Sequence, residues 1–543
     1  MRSKEYSDNT LNVGKKRIIS LDALHQYILT IVLLFSSILL SGFLSASTLP
    51  ANDENTLFAS ININVDSIIG KINPNVYGQM VENCGNCLYP GLWVGEDSKI
   101  PNIRGMRIDV IEKFKAIKTP VVRWPGGTPS EYYHWQDGIG PKENRPKTLL
   151  PGLCLAAPGE TNAFGTDEFM DFCNLIGAEP YICTNVGTGT PEEAANWIEY
   201  CNRNGDTQYA TLRKDNGNKK PYAVKYWGIG NESYFWHTPG SYSLVVNQYA
   251  KIMKTMADTS ISLIAAGLND PHIKGADNWN YTLLKNASEF LDFISLHAYY
   301  FYDDYYDVVA CPLKAEPEIA NLRRMIKDLV REGNKLEITM DEWNIWHKEA
   351  KTYNGLMQKC TLMDGLYAAG MFHVFHRNCD IVTMANFCDL VNQLPAIVTN
   401  EEGGLYVNPI YLAFKLYTNH TGSIALKSVT KVAGYQPAEK VGVDNSPFLD
   451  CSVTRMEGNG NIAVAVINRH KDLAIETKIN IKGFRPKKKS KVYLLNAPEV
   501  NTANDFDEPD NVKIELGSFD KIDNNFTYSF PAHSITLIEL ESK

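Results

Sequence analysis

Between residues 75 and 390 a short apolar segment, a polar or glycine-containing exit and a longer helical pattern follow one another eight times, and this rhythm constrains the fold more than any other feature. Near-continuous apolar segments are typical of parallel strands covered on both faces. Eight of them alternating with helices predict an α/β protein built on a closed (β/α)8 TIM barrel. The predicted strands are Val76–Val81, Pro120–Trp124, Pro180–Thr184, Val224–Ile229, Ser262–Leu268, Phe293–Leu296, Leu336–Met340 and Ile381–Phe387.

The pattern changes after about residue 400, where apolar and polar residues alternate with period two in segments such as Ile462–Ile467 and Ser534–Glu539. Such segments separated by turn residues predict an antiparallel β-sandwich. The similar segment Ile61–Val65 stands before the barrel and is expected to join the sandwich. The predicted domains are therefore a leader (1–47), an N-terminal strand segment (48–74), the barrel (75–405) and the sandwich (406–543).

The leader has the features of a secretory signal peptide. Lys15-Lys16-Arg17 precedes an almost uncharged run, residues 27–44, which ends at the small residues 45–47. This pattern predicts export to the periplasm or the medium. An uncleaved signal anchor is the alternative, because about eighteen mostly apolar residues come near the length that spans a bilayer.

Charge and cysteine content narrow the classes of function. The formal net charge is −9, and the only dense basic run is Lys487–Lys491, so nucleic-acid binding is not expected. Eleven cysteines cannot all pair within one chain. Cys84 and Cys87 have the spacing of a redox or zinc half-site, but no second pair of that kind exists, and the intervening Gly-Asn favours a turn. We therefore expect neither a metal nor a cofactor.

Two glutamates stand where apolar strands give way to polar residues. Glu232 ends the segment that begins at Trp227, and Glu342 follows the seventh predicted strand. Asn231 and Glu232 are also suited to capping a helix, which is the simpler interpretation of that segment alone. Strands four and seven of such a barrel face each other across its mouth, however, so the two carboxyl groups are expected to meet. Paired carboxyl groups are what glycosidic bond cleavage requires.

Other strand exits carry groups that hydrogen-bond sugar hydroxyls or offer an apolar face to a sugar ring. A lone histidine is usually a core residue, but His297 shares a strand face with Tyr299 next to the mouth, which favours a role in the pocket. The candidate substrate-binding residues are Glu82, Thr128, Asn185, Asn231, His297, Tyr299, Trp343 and Asp389.

Several motifs in order carry a resemblance to a known family. They are Tyr77-Gly78 with Glu82, Val122–Gly127, Trp135–Pro141, Gly177–Tyr181, Asn185–Thr190, Trp227–Glu232 and Asp341–Asn344. Together they resemble glycoside hydrolase family 51, the α-L-arabinofuranosidases of clan A.

The resemblance implies a retaining double displacement, with Glu232 as general acid/base and Glu342 as nucleophile. Glu232 is then expected to have a raised pKa, and Glu342 to stay ionised. Glu82 and Asn231 match residues that bind sugar hydroxyls. Two positions depart from the family pattern, since Thr128 and Asp389 stand where many members have Asn and Gln.

The expected function is the release of terminal non-reducing α-L-arabinofuranosyl residues from arabinan, arabinoxylan or derived oligosaccharides. An endo-β-1,4-glucanase or xylanase of the same family is the alternative, followed by a carbohydrate-binding protein without activity. The expected partner is an arabinofuranosyl-containing oligo- or polysaccharide, and a homo-oligomer is compatible with the sequence.

Overall fold

The computed structural model describes residues 57–149, 159–269, 273 and 277–543. The predicted leader, residues 1–47, lies outside this part of the chain. Among the described residues, no helix has both the length and the apolar character needed to cross a membrane.

Eight parallel strands form a closed barrel, which confirms the predicted (β/α)8 fold. Strand β1, Leu57–Lys71, precedes the barrel and belongs to another sheet. The barrel strands pair in chain order, and the last closes on the first through the pairs Asn386–Gly78 and Phe387–Gln79. They are β2 (Gly78–Met80), β3 (Val121–Trp124), β4 (Glu179–Thr184), β5 (Tyr226–Ile229), β6 (Ser262–Ala266), β7 (Phe293–Tyr300), β8 (Glu337–Ile345) and β9 (Val382–Phe387).

Each connection between successive barrel strands contains at least one α-helix, as parallel pairing requires. Thr190 caps the helix that starts at Pro191 by accepting a hydrogen bond from the Glu193 amide. The helices are α1 (Ile108–Ala116), α2 (Thr166–Ile176), α3 (Pro191–Asn202), α4 (Gln208–Asp215), α5 (Pro239–Met256), α6 (Trp279–Ala287), α7 (Tyr305–Ala310), α8 (Ala315–Leu329), α9 (Leu362–Arg377) and, after the barrel, α10 (Pro409–His420).

Side chains fill the interior of the barrel, so the barrel encloses a packed core and not a channel. Seven buried residues from six strands form a layer of this core: Val121, Tyr181, Cys183, Tyr226, Ile264, Phe293 and Met384. Polar side chains therefore collect above it, at the carboxyl ends of the strands.

Strands β7 and β8 run further than the sequence predicts, and β8 contains a bulge. Thr339 pairs with Ser295, but the next pair is Glu342 with His297, so three residues of β8 span two of β7. A bulge changes the alternation of side chains between the two faces of a sheet. As a result, both Asp341 and Glu342 reach the barrel interior, although they are adjacent in sequence.

A second large sheet has nine strands, β1 and eight strands that follow the barrel: β10 (Ile424–Lys431), β11 (Leu449–Arg455), β12 (Ile462–Asn468), β13 (Ile475–Lys482), β14 (Ser490–Asn496), β15 (Lys513–Phe519), β16 (Asn525–Phe530) and β17 (Ser534–Leu540). Their order in the sheet is β15-β14-β17-β12-β11-β10-β1-β13-β16. All pairs are antiparallel except that of β1 with β13. Residues from the whole width of the sheet, from Val492 to Phe526, pack into one apolar core, so the sheet folds over itself as a sandwich.

Candidate active site

The backbone after β5 turns sharply and aims Glu232 into the barrel mouth. Gly230 and Glu232 both have left-handed conformations, with φ of 76° and 45°. The second is unfavourable for a residue with a side chain and persists only where its surroundings hold it. The buried carboxyl group of Glu131 supplies that support, because it accepts hydrogen bonds from the backbone amides of Asn231 (2.6 Å) and Val186 (3.2 Å).

Glu342 lies within β8 and is held by two donors. Arg123 donates from its guanidinium group to Oε1 at 2.6 Å, and Tyr299 donates its hydroxyl hydrogen to Oε2 at 2.9 Å. Glu342 thus has both carboxyl oxygens fixed by donors, one of which is a cation.

The structure brings Glu232 and Glu342 together around His297. One oxygen of each carboxyl group and a ring nitrogen of His297 all lie within 4.8 Å of one another. His297 Nδ1 lies 3.0 Å from Glu232 Oε1 and 3.4 Å from Glu342 Oε2. The Glu232 side chain is 22% exposed and that of Glu342 only 6%, so Glu232 is the carboxyl group that water can reach.

His297 carries a positive charge between the carboxylates. Burial lowers its pKa, but the charge of Glu342 and the hydrogen bonds to Asp341 and Glu232 outweigh burial and raise the pKa to about 10. For Glu232 the interactions with His297 act in the opposite direction and lower the pKa. Burial raises its pKa, yet the hydrogen bond and the charge of His297 leave it below its ordinary value. In this arrangement Glu232 therefore does not have the raised pKa that the sequence led us to expect.

Arg123 links both sides of the site. Its guanidinium group also donates to the Asn231 side-chain oxygen at 2.6 Å and lies 3.7 Å from an oxygen of Asp341. Tyr181 donates to the same Asp341 carboxylate at 2.6 Å. Burial raises the pKa of Asp341, but the charges of Arg123 and His297 outweigh it and hold that pKa below its ordinary value.

Glu82 lies next to Glu342, the nucleophile candidate, with Gly127 between the two carboxyl groups. Its Oε2 accepts from the Gly127 amide at 2.9 Å, and its Oε1 accepts from the Gln393 side chain at 2.7 Å. A Cβ atom on Gly127 would lie 2.8 Å from Glu342 Oε1 and 3.2 Å from Glu82 Oε2, so glycine keeps the space between these carboxyl groups open. Thr128 follows as the half-buried first residue of a short 3-10 turn. Asp389 is fully buried beside Glu82.

Two predicted site residues lie elsewhere. Trp343 is fully buried among aromatic side chains, including Phe387 and Phe414, because it points away from the face that carries Glu342. The side chain of Asn185 is engaged in its own loop, where it accepts from the amides of Thr188 and Gly189 at 2.9 Å. The structure thus brings neither side chain to the two glutamates.

Trp346, the residue directly after β8, lies near the site. Its ring packs against Tyr299, with centroids 5.8 Å apart, and against the exposed Phe301 at 5.6 Å.

Four residues of the site were not among the predicted ones: Arg123, Glu131, Asp341 and Gln393. One signal was present in the sequence, since Arg123 is a charged residue inside an otherwise apolar strand, and a buried charge requires partners. Glu131 and Gln393 gave no such signal, because their segments carry no strand pattern.

A (β/α)8 barrel with two facing carboxyl groups at the ends of its fourth and seventh strands defines a class, the glycoside hydrolases that act through paired carboxyl groups. Comparisons with known proteins give the family. Residues 113–307 match the model of the alpha-L-arabinofuranosidase 1 domain, and residues 341–534 match that of the alpha-L-arabinofuranosidase C-terminal domain.

Characterised relatives agree over nearly the whole chain. The intracellular exo-alpha-L-arabinofuranosidase of Bacteroides ovatus is 34% identical over 507 residues, which cover 89% of this chain and 96% of the relative. Alpha-L-arabinofuranosidase C of Emericella nidulans is also 34% identical, over 88% of this chain and 96% of its own.

Solved structures agree as well. The alpha-L-arabinofuranosidase of Thermotoga maritima, in complex with arabinose, superposes with a TM-score of 0.82 at 38% identity, covering 89% of this chain and all of the other. The GH51 enzyme of Thermotoga petrophila gives 0.82 at 37% identity, with the same coverage of both chains. This chain belongs to the α-L-arabinofuranosidases of glycoside hydrolase family 51.

Proposed function

We propose that the protein is a retaining exo-α-L-arabinofuranosidase in which Glu342 is the nucleophile and Glu232 the general acid/base. The single observation that carries this assignment is the approach of their carboxyl oxygens within 4.8 Å. Retaining enzymes need carboxyl groups about 5 to 5.5 Å apart, whereas inverting enzymes leave room for a water molecule at about 6.5 to 9.5 Å.

In the first step Glu342 attacks the anomeric carbon of the arabinofuranosyl group, and the bond to the leaving oxygen breaks. Glu232 donates a proton to that oxygen, which leaves as an alcohol. The pair of His297 and Glu232 holds the proton that this step needs. Exclusion of water by the bound sugar favours the neutral form of the pair, a neutral His297 and a protonated Glu232, because burial disfavours charged groups.

In the second step water attacks the anomeric carbon of the glycosyl ester. Glu232, now a carboxylate, takes a proton from the water, and the bond from the sugar to Glu342 breaks. Two displacements at one carbon retain its configuration. The greater exposure of Glu232 suits this role, since it must meet both the leaving group and water.

We place the arabinofuranosyl ring between Glu82, Asn231 and Glu342, with Thr128 at its edge and the buried Asp389 behind Glu82. Carboxylate and amide groups that converge on one small space can bind several sugar hydroxyls. We place the departing sugar next to Trp346, on the side of Glu232. Trp343 and Asn185 support the site from behind it.

The assignment is tested by measuring the release of arabinose from nitrophenyl α-L-arabinofuranoside and from arabinan. Glu342→Ala is expected to abolish turnover of both. Glu232→Ala is expected to retain more activity on the nitrophenyl glycoside, whose leaving group needs little protonation, and to recover rate with azide as an external nucleophile. Glu402→Ala, at an exposed position, serves as the control.

Product stereochemistry, followed by NMR, gives an independent measurement. Inversion at the anomeric carbon, or equal losses on both substrates in Glu232→Ala, would overturn the assignment. An endo-acting glucanase or xylanase is not favoured, because the relatives at 34% to 38% identity are arabinofuranosidases. The intact pair of carboxyl groups also disfavours a protein without activity.

We also propose that residues 1–47 direct export of the protein, on the strength of the basic, apolar and small-residue regions of that segment. N-terminal sequencing of the protein from cells and from the medium tests this. A mature form that begins near residue 48 supports cleavage, and an intact N-terminus in a membrane fraction supports the anchor instead. The mass of the purified protein in solution decides between a monomer and a homo-oligomer.

A further inference from the structure

A second pair of carboxyl groups lies at the site, between the exits of the first and eighth barrel strands. Glu82 is 4% exposed and Asp389 is not exposed at all. An oxygen of each carboxyl group and the sulfur of Cys388 lie within 4.8 Å of one another. Two adjacent anions in so buried a place repel each other strongly, and they share a proton in well-studied carboxyl pairs.

The two carboxyl groups differ in their partners. Glu82 accepts hydrogen bonds on both oxygens, from Gly127 and Gln393. Among the residues that the structure describes, no N–H or O–H group donates to either oxygen of Asp389. An ionised Asp389 would therefore be a buried anion that faces the Cys388 thiol, a weak donor, and no N–H or O–H donor among the described residues, which is costly. A protonated Asp389 can instead donate its hydrogen to Glu82.

The surrounding charges do not compensate an anion at Asp389. The titratable groups that face the pair are Glu342, Arg123, Tyr299, Cys87 and Cys388. Arg123 is the cation among them, and it donates hydrogen bonds to Glu342 and Asn231 and not to Asp389.

The directions of the pKa values agree with this geometry. Burial first, and then the charges of Glu82 and Glu342, raise the pKa of Asp389 well above its ordinary value. Burial and the charge of Glu342 raise the pKa of Glu82 to about 7.

We propose that Glu82 and Asp389 hold one proton between them, that Asp389 carries it as a hydrogen-bond donor to Glu82, and that this neutral Asp389 positions Glu82 for the sugar hydroxyls. Asp389 is thus a positioning residue that acts through Glu82. The part of the inference that concerns the sugar rests on the proposed function, whereas the shared proton does not. Loss of the proton at alkaline pH sets two anions side by side and weakens the binding of substrate.

The shared proton is tested without substrate by comparing the full chain with Asp389→Asn, which keeps the shape and a donor but cannot ionise. In the folded wild type the pKa of Asp389 is raised above the ordinary value of about 4. The wild type therefore loses stability as pH rises from about 4 to that folded-state pKa. The melting temperature of Asp389→Asn should therefore rise above that of the wild type across this range, by roughly 2 °C per pH unit. Asp510→Asn, at an exposed position, should show no such trend. A difference that does not change between about pH 4 and pH 8 would overturn the proposal.

The role in binding is tested by the pH dependence of KM and kcat on nitrophenyl arabinofuranoside. Above the pKa of the pair, the wild-type KM should rise about tenfold per pH unit, as for one ionisation, while the KM of Asp389→Asn stays within about threefold of its value at pH 6. Equal alkaline rises of KM in both proteins would contradict the positioning role. If neither protein hydrolyses arabinofuranosides, the proposed function fails, and the melting experiment still decides about the shared proton.

Discussion

At the scale of single residues, Arg123 determines the arrangement of both halves of the site. Its buried guanidinium group contacts Glu342 and Asn231 at 2.6 Å each. The planar fork of arginine can serve two acceptors with fixed geometry, whereas a lysine ammonium group offers a single point of charge. The relative position of the proposed nucleophile and acid therefore depends on a residue to which we assign no chemical step.

We expect Arg123→Lys to fold but to lose catalytic rate. A shift of about 1 Å in a reacting group can cost about 100-fold, so we expect kcat to fall by that order with a smaller change in KM. Steady-state kinetics, combined with circular dichroism of the folded variant, measures this. Arg324→Lys, in which the replaced arginine is exposed and donates to the exposed Asn321 side chain, is the control. An unchanged kcat in Arg123→Lys would show that Arg123 does not position Glu342.

We expect His297→Asn to move the alkaline limb of the kcat/KM profile to higher pH. His297, whose pKa is raised to about 10, lowers the pKa of Glu232 through a charged hydrogen bond. Removal of that positive charge leaves burial to raise the pKa of Glu232, so the acid keeps its proton to higher pH. The profile is measured with a substrate that has a poor leaving group. A shift to lower pH, or no shift, would contradict the influence assigned to His297.

At the scale of elements, the loop after β5 and the bulge in β8 orient the catalytic side chains. A regular strand would send Asp341 and Glu342 to opposite faces. The bulge brings both into the interior, where Asp341 helps to hold His297 charged and Glu342 faces the proposed sugar site. The geometry of the site therefore depends on two local departures from regular backbone.

We expect Gly230→Ala to reduce both stability and activity. Gly230 has a φ of 76°, and a Cβ atom there would lie 2.4 Å from Val186 Cγ2 and 2.5 Å from Ser233 Oγ. Backbone strain of this kind costs on the order of 1–3 kcal/mol, and any relief of it moves Glu232. Thermal unfolding and kcat are the measurements. Gly240→Ala, where no described residue beyond the local helix would lie within 4 Å of the Cβ, is the control and is expected to behave as the wild type.

At the scale of the whole molecule, a buried ionic cluster joins the barrel to the sandwich. Asp450, on β11, accepts hydrogen bonds from Arg377, the last residue of α9, at 2.8 Å and from Arg469 at 2.6 Å. Burial raises the pKa of Asp450, but the charges of Arg377 and Arg469 hold it well below its ordinary value. The same helix α9 packs on the barrel, so the two parts are expected to unfold together.

We expect Asp450→Asn to destabilise the protein by about 3–5 kcal/mol, because it leaves the buried Arg469 without its anion and removes one of the two anions that Arg377 contacts. The loss is expected to be present above about pH 4 and to shrink at lower pH, since the folded state gives up this contribution as Asp450 becomes protonated. Urea denaturation followed by far-UV circular dichroism and by activity is the measurement. Separate transitions for the two signals in the wild type would show that the parts unfold independently.

The sequence was sufficient to predict the barrel because the signal for each strand is local. Each apolar run has to be buried on both faces, so the eight runs found by pattern match the eight strands closely, and the ends of the fourth and seventh point to Glu232 and Glu342. The sandwich strands after the barrel are predicted in the same way, apart from their ends, because apolar and polar residues alternate along each of them. Boundaries were less exact, as β7 and β8 extend past their predicted ends and include His297, Tyr299 and Glu342.

The amino-acid sequence by itself determined which segments are strands and helices, and where acidic side chains leave the core, because periodicity and burial are properties of neighbouring residues. Only the tertiary structure decided that Trp343 faces the helices, that Glu131 supports Glu232 from another loop and that Arg123 stands between two strands. It also decided the direction of each pKa, including the lowered value of Glu232 and the proton proposed for Asp389. The reason is physical: electrostatic interaction depends on distances in space between groups that lie hundreds of residues apart in the chain.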